Sequence, residues 1–577
     1  MIEHELRFAL TPSMVAEFEQ RAAIGLAGPS ASLRSRYFDT PAGDLMEAAL
    51  SLRVRQTPQG FVQSVRTAGG RFERFEWAAP VAGEEPEIDA LPPADHPAGA
   101  LIRECFDLLA VAFETRFERQ LRLVRPQPGV RAELTCDRGE ISAGSRREQV
   151  AEVELVRREG PAAAFYHYAM QWAGLHQAQL MLPSKALRGL RLAGYAAQPG
   201  QSPPLPAPPL AALSVAGAAR LVLRGHLDRL LDSLGPLLAA WDDGQAAPQF
   251  HLALQRLRAA IRFFGLPGLS AATGGRACDA PAEVPGDDAD LSATWRALLL
   301  RARPFARAAL SVHRCDRLAT ELLPRLQSAF PGDPAVRLLG RCLVLERARH
   351  HAGLRAAVAT SELTGFILQA LAAIESLPGD RSPGDDFEPF ALARLQALVR
   401  RLRRHTRRTR FIRPSRDGDE PWRLVAAAAG RLRDAVDGCR PLQVTSLPVD
   451  EAVALLSRWQ DRTLPPSRSG SARAIAARAR SAPDIPAEVA ARAVALLDGY
   501  LAGAAGGDSP QELLQSILAT SRRVLGPLPE GDPGSPEPPL TERGNRSGYH
   551  PGSPPPRAPA APEAALPLVE PWKEDPE

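Results

Sequence analysis

Polar and apolar residues alternate along several short runs in the first third of the chain. In the opening run, MIEHELRF, the charged residues Glu3, Glu5 and Arg7 fall on every second position. Successive side chains of a β-strand point to opposite faces, so these three would share one face. Arg53 and Arg55 share a face of a later run in the same way. The pattern predicts strands with charge on one side and apolar residues on the other.

Turn residues join some of these runs into pairs. SLRVRQTPQGFVQSVRT, residues 51–67, has a Pro-Gln-Gly turn at its centre, which is typical of a hairpin. RAELTCDRGEIS, residues 131–142, predicts a second hairpin around its central Asp-Arg-Gly, and RFERFEW, residues 71–77, predicts a further strand. Several such units indicate an antiparallel sheet or β-barrel. We therefore expect an N-terminal antiparallel β-barrel domain with flanking helices over residues 1–197.

Apolar residues recur at steps of three and four in the second part of the chain. This spacing places them on one face of a helix. It predicts helices over residues 251–264, 334–351 and 391–410, and a last helix over residues 509–526. We expect an all-α helical-bundle domain with an internal repeat over residues 211–526, so that the chain as a whole is an α+β multidomain protein.

Two proline-rich segments bound the helical region. Residues 198–210 read as a linker between the two domains. Residues 527–577 combine many prolines with few large apolar side chains, so burial cannot offset the entropy of ordering them. We expect this segment to be a disordered tail.

The composition of the chain restricts the number of domains, the partners and the compartment to be expected. A chain of 577 residues with 45% apolar content accommodates two or three globular domains. The net charge is only +4, so partners must be judged from local charge. The six cysteines include no C-x-x-C pair, which fits a reducing compartment and indicates no zinc motif. No signal peptide or bilayer-spanning run is evident, so we expect a cytoplasmic protein without a membrane partner.

The charged strand faces have two interpretations. Alternating charge most often marks the solvent side of a half-buried sheet, and this is the simpler interpretation of any single strand. Repetition over several strands favours a binding site, because acids and arginines fall mostly in separate strands; Glu152 and Glu154, for example, share one run. Arginine clusters bind phosphate, and clustered carboxylates bind hard cations such as Mg²⁺ or Mn²⁺. Together they indicate a metal-bound phosphate substrate.

The order of these segments resembles the CYTH superfamily, the triphosphate tunnel metalloenzymes. Glu3-His4-Glu5-Leu6-Arg7 is similar to its E-x-E-x-K signature, and RYFDTPAGDL and SLRVR are similar to its Y-F-D-T-P segment and L-R-x-R strand. FVQSVRTAG, RFEW, ELTCDRGEI, AEVEL and PSKALRGLRL then follow in the family's order, up to residue 192. The resemblance implies a closed antiparallel barrel around a tunnel, in which a triphosphate is hydrolysed with Mg²⁺ or Mn²⁺ as cofactor.

The resemblance also implies roles by position. It implies catalytic roles for Glu3, Glu5 and Arg7, and metal binding by Glu3, Glu5, Glu152 and Glu154. It implies substrate binding by Arg53, Arg55, Arg66, Arg119, Lys185 and Arg188, with Glu133 as a further acidic wall residue. Arg7 and Arg66 stand where the family has lysine. Arginine still binds phosphate but cannot give up a proton near neutral pH, so the exchange bears on turnover more than on binding.

The helical region resembles the CHAD domain, a helical module that often follows CYTH. ARLVLRGHLDRLL and QRLRAAIRFF carry the resemblance, and GRLRDAVDG suggests the second copy of its repeat. The family implies polyphosphate binding, here by Arg256, Arg258, Arg431 and Arg433. The basic helix at residues 391–410 has few aromatic residues near it to stack bases, which favours bare phosphate chains over a specific nucleic acid.

Two function classes follow from the sequence. The first is a metal-dependent hydrolase of inorganic triphosphate or a related triphosphate, with a basic helical domain that binds polyphosphate. The alternative is a non-catalytic polyphosphate-binding or granule-associated protein, which the lysine-to-arginine exchanges favour. Some CYTH relatives make cyclic AMP, but no feature of this sequence indicates recognition of a base.

Overall fold

The structure is a computed structural model. It describes residues 3–23, 30–68, 72–195, 213–238, 245–265, 292–378, 386–409, 420–438, 470–482 and 485–503. The predicted linker at 198–210, the last predicted helix at 509–526 and the predicted tail at 527–577 lie outside the described residues.

Antiparallel strands form the first part of the described chain. They are β1 (Glu3–Ala9), β2 (Ser30–Asp39), β3 (Leu50–Thr57), β4 (Gly60–Ala68), β5 (Glu73–Val81), β6 (Ala110–Gln127), β7 (Val130–Ala143) and β8 (Arg146–Glu159). They pair in the order β1-β5-β4-β3-β2-β6-β7-β8, and β8 pairs again with β1, which makes the strand order a ring. The described β1–β5 pairing is short, with two residue pairs. The expected antiparallel sheet is confirmed, and the hairpin at residues 51–67 is the β3–β4 pair.

The predicted hairpin at residues 131–142 is wrong. β7 runs without a break from Val130 to Ala143 and pairs with β6 on one side and β8 on the other. Gly139, which suggested a turn, lies against β6: a Cβ atom there would be 2.1 Å from the carbonyl oxygen of Arg116 and 2.5 Å from Cα of Phe117. The glycine therefore allows a close approach of two strands rather than a reversal of the chain.

Helices pack against this barrel. They are α1 (Pro12–Ala23), α2 (Asp44–Glu47), α3 (Pro97–Glu104), α4 (Ala162–Leu175) and α5 (Lys185–Ala193). Leu6 and Phe8, on the apolar face of β1, are fully buried, and the Phe8 ring lies 5.5 Å from the Trp172 ring of α4, measured between centroids. Because the apolar face of β1 turns out towards α4, its charged face turns into the barrel.

α5 differs from the other helices because it packs on inward-facing side chains. An apolar cluster contains Tyr37, Phe113, Ile141 and Val150 from four strands, and Leu190 of α5 packs against it. α5 approaches the cluster closely, because a Cβ atom at Gly189 would lie 2.2 Å from the Phe113 ring. The first residue of α5 is therefore brought to the barrel interior.

The second part of the described chain is helical. Its helices are α6 (Val215–Leu238), α7 (Ala246–Phe264), α8 (Ala293–Arg301), α9 (Arg303–Arg317), α10 (Leu323–Ala329), α11 (Pro334–Val358), α12 (Ser361–Glu375), α13 (Phe387–Thr409), α14 (Glu420–Gly438), α15 (Gly470–Arg480) and α16 (Ala487–Gly503). The helices predicted at 251–264 and 334–351 are confirmed as parts of α7 and α11, and the helix predicted at 391–410 is confirmed over residues 391–409, since residue 410 lies outside the described residues. Among the described helices, none is long and apolar enough by itself to span a membrane, although α11 and α12 together, bent by 59°, pass that test.

The barrel part and the helical part share one hydrophobic core. A single cluster of buried residues runs from Phe8 of β1 through Trp172 of α4 to Phe366 of α12. Two hydrogen bonds cross the same boundary: Gln179 Nε2 donates to the carbonyl of Ala359 (3.2 Å), and the amide of Leu180 donates to Thr364 Oγ1 (2.9 Å). The two parts predicted as separate domains are therefore packed together through α4 and α12.

Candidate functional site

The charged strand faces point into the barrel, and most of their side chains are buried. The exposed fraction is 7% for Glu5, 5% for Arg53, 0% for Glu152 and 9% for Glu154. The solvent-face interpretation is therefore wrong for these strands. Burying this much charge costs free energy unless opposite charges or a ligand meet it, so the contacts of each group show what the interior can do.

One wall of the interior is built from arginines of β3 and β4. Arg53 donates from Nε to Ser64 Oγ (2.8 Å) and from Nη2 to Glu76 Oε1 (3.0 Å). Arg66 lies 3.0 Å from the other carboxylate oxygen of Glu76. One carboxylate of β5 thus holds two guanidinium groups of this wall.

Arg55 extends this wall towards β2 and β6. Its Nε donates to Ser35 Oγ (3.0 Å), and its Cζ lies 5.8 Å from the centroid of the Phe117 ring. Burial and the neighbouring guanidinium groups lower the pKa of both Arg53 and Arg55. Burial would raise the pKa of the Tyr37 phenol, but the same arginines outweigh it and lower that pKa. This wall therefore carries excess positive charge and favours an anion.

Glu5 and Arg7 of β1 form a pair beside this wall. Arg7 donates from Nη1 to Glu5 Oε1 (2.9 Å) and from Nη2 to the carbonyl of Leu182 (3.2 Å). Burial lowers the pKa of Arg7, although the carboxylates of Glu154 and Glu152 act to raise it. The backbone of Glu3 lies in β1, but its side chain is outside what the structure describes.

The opposite wall is acidic and comes from β7 and β8. Asp137, Glu152 and Glu154 each place one carboxylate oxygen within 4.8 Å of the other two. Oxygen ligands of this kind suit hard divalent cations such as Mg²⁺ or Mn²⁺, so the donor set fits a metal. The ammonium of Lys185, at the start of α5, contacts all three carboxylates, at 2.8 Å from Asp137 and 2.7 Å from Glu154. Burial would lower the pKa of Lys185, but these carboxylates outweigh it and raise it.

Two arginines complete the acidic wall. Arg119 donates to both oxygens of Asp137 (2.8 and 2.6 Å) and to Glu154 Oε2 (2.9 Å). Burial would raise the pKa of Glu154, but Lys185 and Arg119 hold it well below its usual range. Arg188 lies 2.8 Å from Glu152 Oε2, and also donates to a carboxylate of β8 at residue 148. These predicted phosphate ligands are thus held by carboxylates.

Sequence reasoning missed Asp137 and Glu76. Asp137 shares the parity of the predicted wall residue Glu133, which would have placed it inward, but the expected turn at Asp-Arg-Gly removed it from the strand. Glu133 itself pairs with Arg158, whose Nη2 lies 2.6 Å from Glu133 Oε2. Glu76 lay in the quoted R-x-E-W segment and was given no role, although its carboxylate organises the arginine wall.

The arginines predicted to bind polyphosphate lie on α7 and α14. Arg256 makes two hydrogen bonds to Asp437, at 2.7 and 3.0 Å, and these join the two helices. Arg433 donates to Asp434, its neighbour in α14. Arg258 and Arg431 are partly buried, and burial together with the charge of Arg262 lowers the pKa of Arg431. Two of the four predicted contacts are therefore engaged by acids.

Comparison with known proteins bears on the barrel. Residues 1–189 match the family model of the CYTH domain. An inorganic triphosphatase from Haemophilus influenzae is 26% identical over 196 residues, which make up 33% of this chain and 54% of that protein. The chain thus spans about half the length of this curated relative.

Solved structures include similar chains. A putative adenylyl cyclase from Hippeastrum, described as having a dominant triphosphatase activity, is 17% identical with a TM-score of 0.24, over 33% of this chain and 94% of that chain. A putative adenylate cyclase from Bacillus halodurans is 15% identical with a TM-score of 0.23, over 32% and 95%.

The family match ends before the helical region, so the CHAD resemblance stays a prediction. It covers the strands and helices that build both charged walls, up to α5. Residues 1–189 of this chain form a CYTH domain.

Proposed function

We propose that the barrel hydrolyses inorganic triphosphate, or a related triphosphate, to a shorter phosphate and orthophosphate with Mg²⁺ or Mn²⁺. One observation carries the proposal: buried and half-buried arginines of β3 and β4 face the same interior as buried carboxylates of β7 and β8. The CYTH match and the name of the Haemophilus relative support the same reaction class.

The arginine wall is the proposed site for the phosphate chain. Guanidinium groups bind phosphate oxygens through two parallel hydrogen bonds, and Arg53, Arg55 and Arg66 lie on adjacent strands. Their mutual repulsion, which helps to lower the pKa of Arg53 and Arg55, is relieved when a polyanion binds between them. A triphosphate therefore gains both hydrogen bonds and charge neutralisation on this wall.

The acidic wall is the proposed site for the metal. Asp137, Glu152 and Glu154 would hold a divalent cation, which when bound supplies positive charge that offsets the charge of the reacting phosphate. The residues of the chain provide the rest of the catalysis. The arginines orient the phosphate chain, and Glu5, held in place by Arg7, is the proposed group to orient the attacking water.

Phosphate release from tripolyphosphate, with Mg²⁺ or Mn²⁺ present, tests this function. The double variant Glu3→Ala, Glu5→Ala is expected to release no phosphate above background. Arg55→Gln is expected to lose at least about tenfold in kcat/KM, because a hydrogen bond to a charged group contributes about 1.5–3 kcal/mol. Arg138→Gln, on the exposed face of β7, is the control and should match the wild type. The proposal fails if the wild type releases no more phosphate than the double variant.

Polyphosphate binding by the helical part is a second element of the proposal. The four arginines that the CHAD resemblance implies, Arg256, Arg258, Arg431 and Arg433, lie on α7 and α14 and support it, and Arg256 and Arg433 are bonded to aspartates. Polyphosphate binding to the full chain should weaken in the double variant Arg258→Gln, Arg431→Gln. Binding without any turnover is the alternative function, and the Glu5–Arg7 pair, which replaces a glutamate–lysine pair of the family, favours it.

A further inference from the structure

Lys185 lies at the centre of the acidic cluster formed by Asp137, Glu152 and Glu154. Its Nζ contacts one oxygen of each carboxylate, and the residue is 7% exposed. The position is fixed from the helix side as well, because Ser184 caps α5 by accepting a hydrogen bond from the amide of Leu187 (3.1 Å). The ammonium therefore takes the space that a small cation on the same three ligands would take.

The charges around the cluster are balanced by the chain itself. Lys185, Arg119 and Arg188 meet the three carboxylates, since Arg119 is bonded to Asp137 and Glu154, and Arg188 is bonded to Glu152; Arg188 also donates to Glu148, whose side chain is 40% exposed. A free divalent ion would add two positive charges to this balanced and buried group, where water and salt screen repulsion only weakly. A divalent ion already bound to a triphosphate brings compensating negative charge with it.

We propose that Lys185 is the resident cation of the acidic cluster and that a divalent metal ion enters as its triphosphate complex, displacing the ammonium. The inference rests on the proposed function, because triphosphate is the anion that accompanies the metal. It assigns Lys185 a regulatory role at the metal position, in addition to the phosphate contact that the sequence predicts.

The displaced ammonium has a second position within reach. Nζ of Lys185 lies 5.2 Å from the centroid of the Phe117 ring, and Cζ of Arg55 lies 5.8 Å from the same centroid. A four-carbon stem with rotatable bonds allows the ammonium to move across this ring towards the arginine wall. There it would meet the phosphate chain, so that Lys185 exchanges carboxylate partners for phosphate partners when the substrate binds.

Direct measurement of Mn²⁺ binding to the full chain, by electron paramagnetic resonance and without substrate, tests the exchange. Lys185→Met removes the ammonium and keeps an unbranched stem. It should bind Mn²⁺ at least about tenfold more tightly than the wild type, because a unit charge in contact with the ligands is gone. Arg116→Met is the matched control: it removes one charge on the outer face of β6, where the side chain is 61% exposed and solvent screens it, and should change the affinity by less than about twofold.

A second measurement uses the wild type alone, so it stands even if a variant fails to fold. With the imido analogue of triphosphate, which has nitrogen bridges in place of oxygen, the wild type should bind Mn²⁺ at least about tenfold more tightly than without it. The enhancement should shrink in Lys185→Met. Equal Mn²⁺ affinities of wild type and Lys185→Met, equal tightening by Arg116→Met, or no enhancement by the analogue in the wild type overturns the proposal.

These readouts are independent of turnover. If Lys185→Met tightens Mn²⁺ binding but the wild type releases no phosphate from tripolyphosphate, the proposed function fails and the role of Lys185 stands. If phosphate is released while Lys185→Met leaves Mn²⁺ binding unchanged, the role of Lys185 fails and the proposed function stands.

Discussion

Asp137→Asn removes the charge of a carboxylate that lies fully buried between two cations. Arg119 donates to both of its oxygens, at 2.8 and 2.6 Å, and Lys185 lies 2.8 Å from Oδ2. Asparagine keeps the shape of the side chain but turns an NH₂ donor towards groups that are themselves donors. Loss of one partner of a buried ion pair costs about 3–5 kcal/mol, so we expect the free energy of unfolding to fall by about that amount.

Urea unfolding followed by circular dichroism, with a chelator present, measures this loss. Glu140→Gln is the matched control, because it makes the same acid-to-amide change on β7. The Glu140 side chain is 38% exposed and its carboxylate is 3.9 Å from Arg147, so its loss should stay within about 0.5 kcal/mol. If Asp137→Asn is no less stable than Glu140→Gln, the carboxylate does not balance the two cations and the electrostatic account of the acidic wall is refuted.

Three further predictions follow from the described contacts. Arg53→Ala should lower kcat/KM for tripolyphosphate by about 10- to 100-fold, because a hydrogen bond to a charged group contributes about 1.5–3 kcal/mol. Arg116→Ala, on the outer face, should not lower kcat/KM. Equal losses in the two variants would contradict phosphate binding by the arginine wall. Gly139→Ala should destabilise the protein by about 1–3 kcal/mol in urea unfolding, because its Cβ atom would overlap β6. Gly83→Ala is the control and should leave the stability unchanged, because a Cβ atom there has no other atom within 4 Å. Equal urea midpoints of the two variants would contradict the close approach of β7 to β6. The pKa of Glu154 is held well below 4.5 in the folded state, so its ion pairs stabilise the fold fully above the unfolded value and are lost as pH falls through the folded value. The stability gap between wild type and Glu154→Gln, measured in urea from pH 7 downwards, should therefore narrow in acid; a constant gap would contradict the low pKa.

The sequence predicted the inward charge where the signal repeated over several strands. The parity of Glu5 with Arg7, and of Glu152 with Glu154, is local and survives folding unchanged, because a strand alternates its side chains whatever it packs against. The antiparallel sheet and the β3–β4 hairpin follow from equally local turn and alternation signals.

Prediction from the sequence failed where the role of a residue depends on a contact with a residue distant in the chain. Gly139 has the local signature of a turn, but its lack of a side chain serves a contact with β6, about twenty residues earlier in the chain. Because a turn was predicted at Gly139, Asp137 was not predicted to lie on the inward face of a strand. The ion pair between Lys185 and Glu152 could not be predicted from local sequence either, because α5 meets β8 only through the packing of the helix into the barrel.

The shared core ties the two parts of the chain together more closely than the proline-rich segment between them suggests. β1 has Glu5 and Arg7 on one face and Phe8 on the other, and Phe8 belongs to the same buried cluster as Phe366 of α12. Cutting the chain at residues 198–210 would leave the outer side of α4 bare and apolar, a surface prone to aggregation. Exchanging the barrel or the helices for those of a relative would therefore require a matching α4–α12 contact.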